Sequence, residues 1–131
     1  MAIERHPSEL GTFSDTVRVD GPGTWIYVSG ALGLGPDGQI VSGGMYEEAT
    51  AVFESIRGSL ARSGATLDNV VRITAYLSGL ESYADFGRAR ADAFGNSPPA
   101  SAAVGVARLL MGARVEVDAV AFVPDDASVT R

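Results

Sequence analysis

Two carboxylates near the end of the chain are the side chains whose types and spacing best fit catalysis. Glu116 and Asp118 alternate with Val117 and Ala119 in the segment 114–121. Such alternation is typical of a strand that buries one face and leaves the other free for a ligand or a partner. We expect the two carboxylates roughly 7 Å apart on the free face, because every second residue of a strand points to the same side. A carboxylate there could position a water molecule and accept its proton.

Composition limits the other kinds of chemistry. The chain of 131 residues contains no cysteine, which excludes disulfides, thiol catalysis and thiolate metal sites. Its single histidine is His6, so a transition-metal site would need carboxylates alone. We therefore expect neither a metal ion nor another cofactor.

Charge and hydropathy indicate one globular domain without nucleic-acid or membrane partners. Hydrophobic residues make up 46% and charged residues 20% of the chain, so residues 1–131 are expected to form a single domain. The net charge of −6 disfavours nucleic-acid binding and ribonuclease activity, which need clustered cations. No apolar run reaches the roughly 20 residues of a membrane span, and the first residues lack a signal-peptide pattern. We therefore expect a cytoplasmic protein.

Five strands and two helices are predicted in the order β-β-α-β-α-β-β. The strands are expected at 13–19, 25–30, 69–77, 98–109 and 114–121, and the helices at 45–62 and 80–94. Turn residues 20–23 are expected to join the first two strands as a hairpin, after an extended or frayed segment 1–10. Both strand–helix–strand connections are long enough to be crossovers, which predicts an α+β fold with one mixed sheet and both helices on one face. Apolar residues on the other face favour self-association.

One glycine-rich loop matches a nucleotide-binding motif. Residues 33–38 read G-x-G-x-x-G. In a dinucleotide site these glycines open a helix whose N-terminus binds the pyrophosphate. Here Pro36, Asp37 and Gly38 predict a turn, so no nucleotide cofactor is expected.

The end of the chain resembles the C-terminal signature of the Rid (RidA/YjgF) family. The resemblance rests on Pro99–Ala100, on Val104–Leu109 and on the acidic alternation of residues 115–121, and residues 67–77 resemble the third strand of the family. It implies a chorismate-mutase-like α+β fold and a homotrimer with small-molecule clefts between subunits. It also implies the hydrolysis of reactive enamines or imines to ketones and ammonia.

The resemblance further implies a site made of matched positions. Glu116 matches the glutamate that helps to place the attacking water, and it is the candidate catalytic residue. Ser29 and Gly30 match the pair that lines the pocket after the second strand. Phe13 matches an aromatic position that is usually tyrosine, and Gly87 matches a position on the second helix that is often polar.

The position of the substrate-binding arginine is the main departure from the family. Ser101 stands where the family has an arginine that holds the substrate carboxylate. Losing that arginine removes a charge-assisted pair worth about 1.5–3 kcal/mol. Arg108 is a candidate for binding the substrate, with a salt bridge at an interface or core edge as the alternative. Arg88 and Arg90 on the second helix could also supply the cation, although a solvated helix face is the ordinary interpretation of such residues.

Two functions remain open. The retained Glu116 favours the hydrolysis or tautomerisation of an enamine or imine other than the usual amino-acid-derived one. The absence of arginine at position 101 favours a non-catalytic protein that binds a metabolite or a protein partner.

Overall fold

Six strands form one mixed sheet, and two helices pack against one of its faces. The computed structural model describes residues 2–125. The strands are β1 (Ile3–Pro7), β2 (Ser14–Val19), β3 (Gly23–Leu32), β4 (Val70–Leu77), β5 (Ala100–Gly105) and β6 (Val115–Pro124), and the helices are α1 (Met45–Arg62) and α2 (Tyr83–Phe94). The strands lie side by side in the order β1-β2-β5-β4-β6-β3. The predicted single-domain α+β fold with a mixed sheet and two helices is confirmed, while residues 1 and 126–131 of the predicted domain lie outside the described residues.

The buried face of β6 forms the centre of the core. Val115, Val117 and Ala121 are fully buried, whereas Glu116 and Asp118 on the other face are only partly covered. Helix α1 begins and ends where its periodicity predicts. Its buried apolar stripe consists of Met45, Ala49, Val52, Phe53, Ile56 and Leu60. Each large apolar side chain buried here contributes about 1.5–3 kcal/mol.

The N-terminal segment is a paired strand, so the frayed alternative for residues 1–10 is wrong. Ile3–Pro7 pairs antiparallel with β2. The Arg5 guanidinium donates to the carbonyl oxygens of Asp68, Val70 and Pro98 at 2.7, 3.0 and 3.1 Å. Burial lowers the pKa of Arg5, but these carbonyl acceptors compensate for the lost water. Partners so distant in sequence hold β1 in place, and no local pattern reveals them.

The predicted hairpin between β2 and β3 is wrong. β2 pairs with β1 on one side, and its residue Ser14 pairs with Ala100 of β5 on the other. β3 lies at the opposite edge of the sheet, antiparallel to β6. This pairing packs Ile26 of β3 against the core. A turn signal between two strands therefore did not determine their partners, because β3 pairs where its apolar residues reach the core.

Several details of the predicted strands and helices differ from the structure. The pairing of β4 with β6 is irregular between Val70 and Arg72, and Val70 lies in the core at this bulge. Helix α2 begins at Tyr83 rather than at residue 80, and β5 ends at Gly105 rather than at residue 109.

The glycine-rich loop does not have the structure of a dinucleotide site. Residues 33–38 form a turn closed by a bridge between Leu34 and Ile40, and α1 does not begin until Met45. The loop therefore lacks the helix N-terminus of a dinucleotide site. Within residues 2–125, neither helix is long and apolar enough to cross a membrane.

A buried carboxylate on α1 fixes the start of β6. Glu48 is 0% exposed. Its Oε2 accepts hydrogen bonds from the backbone N–H groups of Arg114 at 2.7 Å and Val115 at 3.3 Å. The Arg114 guanidinium lies 3.3 Å from Oε1 and supplies the opposite charge. Helix and strand are thus joined by a charged acceptor at the point where β6 enters the sheet.

Replacing Glu48 with alanine should lower the free energy of unfolding by about 2–4 kcal/mol, because two backbone donors would lose their charged acceptor. The matched control is Glu47→Ala, one residue earlier on the exposed side of α1. Its effect should stay within about 0.5 kcal/mol. Urea unfolding of both variants measures the difference, and equal effects would contradict this role of Glu48.

Candidate active site

The predicted site residues divide between the two faces of the sheet. Ser101 pairs with Ile73, whose side chain is buried beneath the helices. Glu116 pairs with Tyr76 on the face that the helices do not cover, here called the open face. One copy of the chain therefore does not bring Ser101 and Glu116 together.

The open-face group consists of Glu116, Ser29 and Gly30. The register of β3 with β6 is irregular between Val28 and Ala31, so Ser29 and Gly30 form a bulge. A Cβ atom at Gly30 would overlap with Oε2 of Glu116, which means that the carboxylate occupies the space above this glycine. The structure thus places three of the predicted residues beside one another.

The neighbouring carboxylate Asp118 is engaged by a tyrosine. The Tyr76 hydroxyl donates to Oδ2 of Asp118 at 3.0 Å. This hydrogen bond and the negative charge of Asp118 raise the pKa of Tyr76, and the charge of Glu116 acts in the same direction. Glu116 itself accepts no hydrogen bond from the residues that the structure describes, so its oxygens are available for water.

The raised pKa of Tyr76 should be visible in an absorbance titration at 295 nm. The Tyr76→Phe difference curve should show ionisation above the ordinary tyrosine pKa of about 10. The bond then contributes to stability below pH 10, and this contribution is lost as the pH rises through the raised pKa. In an Asp118→Asn background the midpoint should move down towards 10. An unchanged midpoint would contradict the assigned cause.

A second polar group lies on the helix side of the sheet around Arg90. This residue of α2 is only 2% exposed. Its Nε donates to Thr12 Oγ1 at 3.0 Å, its Nη1 to Ser101 Oγ at 3.0 Å, and its Nη2 to the Tyr83 hydroxyl at 3.1 Å. The interpretation of Arg90 as part of a solvated helix face is therefore wrong.

Two further predicted residues lie at this group. The Arg90 guanidinium carbon is 5.0 Å from the centre of the Phe13 ring. The Gly87 carbonyl accepts a hydrogen bond from the Thr12 hydroxyl at 2.9 Å. Phe13, Gly87 and Ser101 therefore lie around Arg90, one of the two candidate cations on the second helix.

The other two candidate cations do not reach this group. Arg88 is exposed, forms an ion pair with Asp85 at 3.2 Å and stacks over the Tyr46 ring, as expected for a solvated helix face. Arg108 is exposed in the loop after β5 and forms no ion pair with a described residue. Its predicted role in substrate binding stays a prediction.

The Arg90 group borders a cavity, and the residues of the β3 bulge border a separate groove. A cavity of about 210 Å³ lies beside Arg90 and is lined by Thr12, Phe13, Phe94 and Pro98 among others. A wider groove of about 610 Å³ lies between the edge of β3 and α1, with Ser29, Gly30 and Ser59 in its wall, and Glu116 does not line it. Within residues 2–125, no three side chains of the metal-binding types are grouped closely enough to hold an ion.

Sequence reasoning named Arg90 as a candidate cation but did not group it with Thr12 and Tyr83. A usable signal for Arg90 was its place on the apolar side of α2, in register with Phe86 and Phe94. A charged residue among buried neighbours requires polar partners. The partners themselves lie in other elements, so spacing along the helix could not identify them.

Comparison with known proteins gives one consistent result. The family model described as Endoribonuclease L-PSP matches residues 3–123. A RutC family protein of Pyrococcus abyssi is 35% identical over 120 residues, which cover 91% of this chain and 92% of that protein. A mouse protein named 2-iminobutanoate/2-iminopropanoate deaminase is 37% identical over 122 residues, covering 92% and 88% of the two chains.

A solved structure agrees with the sequence relatives. The crystal structure of RidA from an Antarctic Psychrobacter species superimposes with a TM-score of 0.71 and 30% identity, covering 94% of this chain and 99% of the other. The C-terminal signature predicted the same relationship. The chain belongs to the Ribonuc_L-PSP family, which is the YjgF/RidA family.

Proposed function

We propose that this protein hydrolyses a small enamine or imine to a carbonyl compound and ammonia, with Glu116 as the residue that places and deprotonates water. The observation that carries the proposal is the position of the Glu116 carboxylate above Gly30, with no described hydrogen-bond donor on its oxygens. The relatives named as 2-imino-acid deaminases support the same class of reaction.

The chemistry requires both protons of the water to reach the imine nitrogen. Glu116 accepts a proton from water as the water oxygen bonds to the imine carbon. The same carboxyl group then returns the proton to nitrogen, which gives a carbinolamine. The hydroxyl proton of the carbinolamine follows the same route to nitrogen as the carbon–oxygen double bond forms and the carbon–nitrogen bond breaks, and the products are the carbonyl compound and ammonia. Main-chain groups of the bulge at Ser29 and Gly30 are assigned to bind the polar intermediate.

Replacing Glu116 with glutamine should lower kcat by about a hundredfold or more, because the amide keeps the shape of the side chain but cannot accept the proton. The assay follows ammonia release from 2-iminobutanoate generated in situ. Asp118→Asn removes a charge from the same face and should retain most of the turnover. Gly30→Ala should also lower kcat, since its methyl group would displace the carboxylate. Unchanged turnover in Glu116→Gln would refute the assigned role.

A non-catalytic binding protein is the second candidate. Ser101 in place of the family arginine and Phe13 without a tyrosine hydroxyl favour it. This candidate predicts that the wild type binds small ligands in its clefts and releases no ammonia from any imine supplied. Turnover by the wild type would exclude it.

The proposed site lies between subunits of a homotrimer. Ser101 and Glu116 lie on opposite faces of one sheet, so a ligand that contacts both positions needs two copies of the chain. The open face also exposes apolar side chains, with Val104 43% and Tyr27 76% accessible. Burial of such a face by identical copies is the ordinary route to a closed oligomer.

Sedimentation equilibrium should give three times the chain mass of 13.6 kDa. Val104→Glu should shift the protein towards smaller species, because it would bury a charge in the proposed interface. The control Ala61→Glu adds the same charge at an exposed position of α1 and should leave the mass unchanged. A monomeric wild type would contradict the assembly.

A further inference from the structure

We propose that Arg90 binds the carboxylate of the ligand, in place of the arginine that the family has at position 101. The ligand is then a small monocarboxylate with a short apolar chain, and for the enzyme a 2-imino acid. The imine part of this inference rests on the proposed function, whereas carboxylate binding is tested separately from turnover.

The first argument is the absence of a compensating charge. Arg90 is 2% exposed and forms no ion pair with a carboxylate among residues 2–125. The exposed Arg18, Arg57 and Arg88 each have a carboxylate within reach, although water could solvate them. A buried charge is normally paired, because removing it from water carries a large free-energy cost. An anionic partner would therefore have a greater effect on Arg90 than on these three exposed arginines.

The second argument is the number of hydrogen-bond donors. A guanidinium has five N–H groups, and Arg90 uses three of them on the hydroxyls of Thr12, Ser101 and Tyr83. One N–H on each of Nη1 and Nη2 has no acceptor in the described part of the chain. Two N–H groups are what a carboxylate takes in a bidentate pair. The Ser101 hydroxyl accepts from Nη1 and still has its own proton to donate to a ligand oxygen.

The third argument is the space around the guanidinium. Cβ atoms at Gly11 and Gly87 would lie 3.8 and 3.9 Å from Nη2, so neither of these two positions places a side chain over this nitrogen. The adjoining cavity of about 210 Å³ has Phe13, Phe94 and Pro98 in its wall. A cation at one end and apolar walls beside it fit a carboxylate with a short hydrocarbon chain.

Ser101 and Arg90 act together in this interpretation. The serine side chain is short, and the guanidinium of Arg90 reaches it from α2. The positive charge is thus supplied at position 101 by a different element of the fold. The ring of Phe13 and the two aromatic residues Tyr83 and Phe86 hold the guanidinium at 5.0–5.7 Å from their centres.

Binding of 2-oxobutanoate, measured by calorimetry and by the shift in Tm, tests the proposal without turnover. The wild type should bind it, and 2-butanone, which lacks the carboxylate, should bind at least tenfold more weakly. Arg90→Gln should weaken 2-oxobutanoate binding by about tenfold to a hundredfold. Arg90→Lys keeps the positive charge but loses the paired N–H groups of the guanidinium, so its affinity for 2-oxobutanoate should be intermediate. Arg88→Gln removes an exposed arginine from the same helix and should bind like the wild type.

A second variant covers the case in which Arg90→Gln does not fold. Gly87→Leu keeps Arg90, improves helix propensity and places a side chain over Nη2. It should fold and lose 2-oxobutanoate binding to a similar degree. Sedimentation of each variant shows whether the assembly is retained.

The outcomes separate this inference from the proposed function. Wild-type affinity in Arg90→Gln, equal binding of 2-butanone, or no binding of 2-oxobutanoate by the wild type would overturn the inference. A further contradicting result would be a wild type that does not bind the carboxylate together with an Arg90→Gln variant that no longer forms the wild-type assembly. Arg90 would then contact a partner subunit instead of a ligand. Carboxylate binding through Arg90 without ammonia release would support the inference and refute the hydrolase.

Discussion

The register of β6 is the constraint on which the rest of the structure depends. This strand pairs with β4 on one side and β3 on the other, and Glu48 fixes its first residues by accepting their backbone N–H groups. Because side chains alternate, a slip by one residue would move Glu116 and Asp118 into the core and expose the valines. The same constraint that forms the core therefore determines on which face of the sheet the carboxylates of Glu116 and Asp118 lie.

The parts of the fold that depend on local pattern could be predicted from the sequence, and the parts that depend on distant partners could not. The periodicity of α1 and the alternation of β6 are properties of residues close together in the sequence. The helix and the buried face of the strand that they predicted are both present in the structure. The partners of β2 and β3 are chosen by pairing across the sheet, and Arg5 holds β1 through carbonyls more than 60 residues away. A turn signal carries no information about such contacts.

The candidate site likewise has a part that the sequence identified and a part that depends on residues distant in the sequence. Family resemblance located Glu116, Ser29 and Gly30, which the bulge in β3 brings together. It also indicated Ser101 as a departure, but it did not show what occupies the place of the missing charge. Arg90 reaches that position from a separate helix, and its bond to Thr12 spans 78 residues. Only the three-dimensional arrangement joins these residues.

The burial of Arg90 has a consequence for the energetics of recognition. Its guanidinium loses most of its water when the chain folds, and hydroxyls and aromatic rings already hold it in one orientation. An arriving anion meets a preorganised cation, so binding includes little of the dehydration and side-chain ordering that weaken exposed ion pairs. The free-energy cost of burying the guanidinium lowers the stability of the unliganded protein instead. A higher affinity for the anion is thus linked to a lower stability of the protein without its ligand.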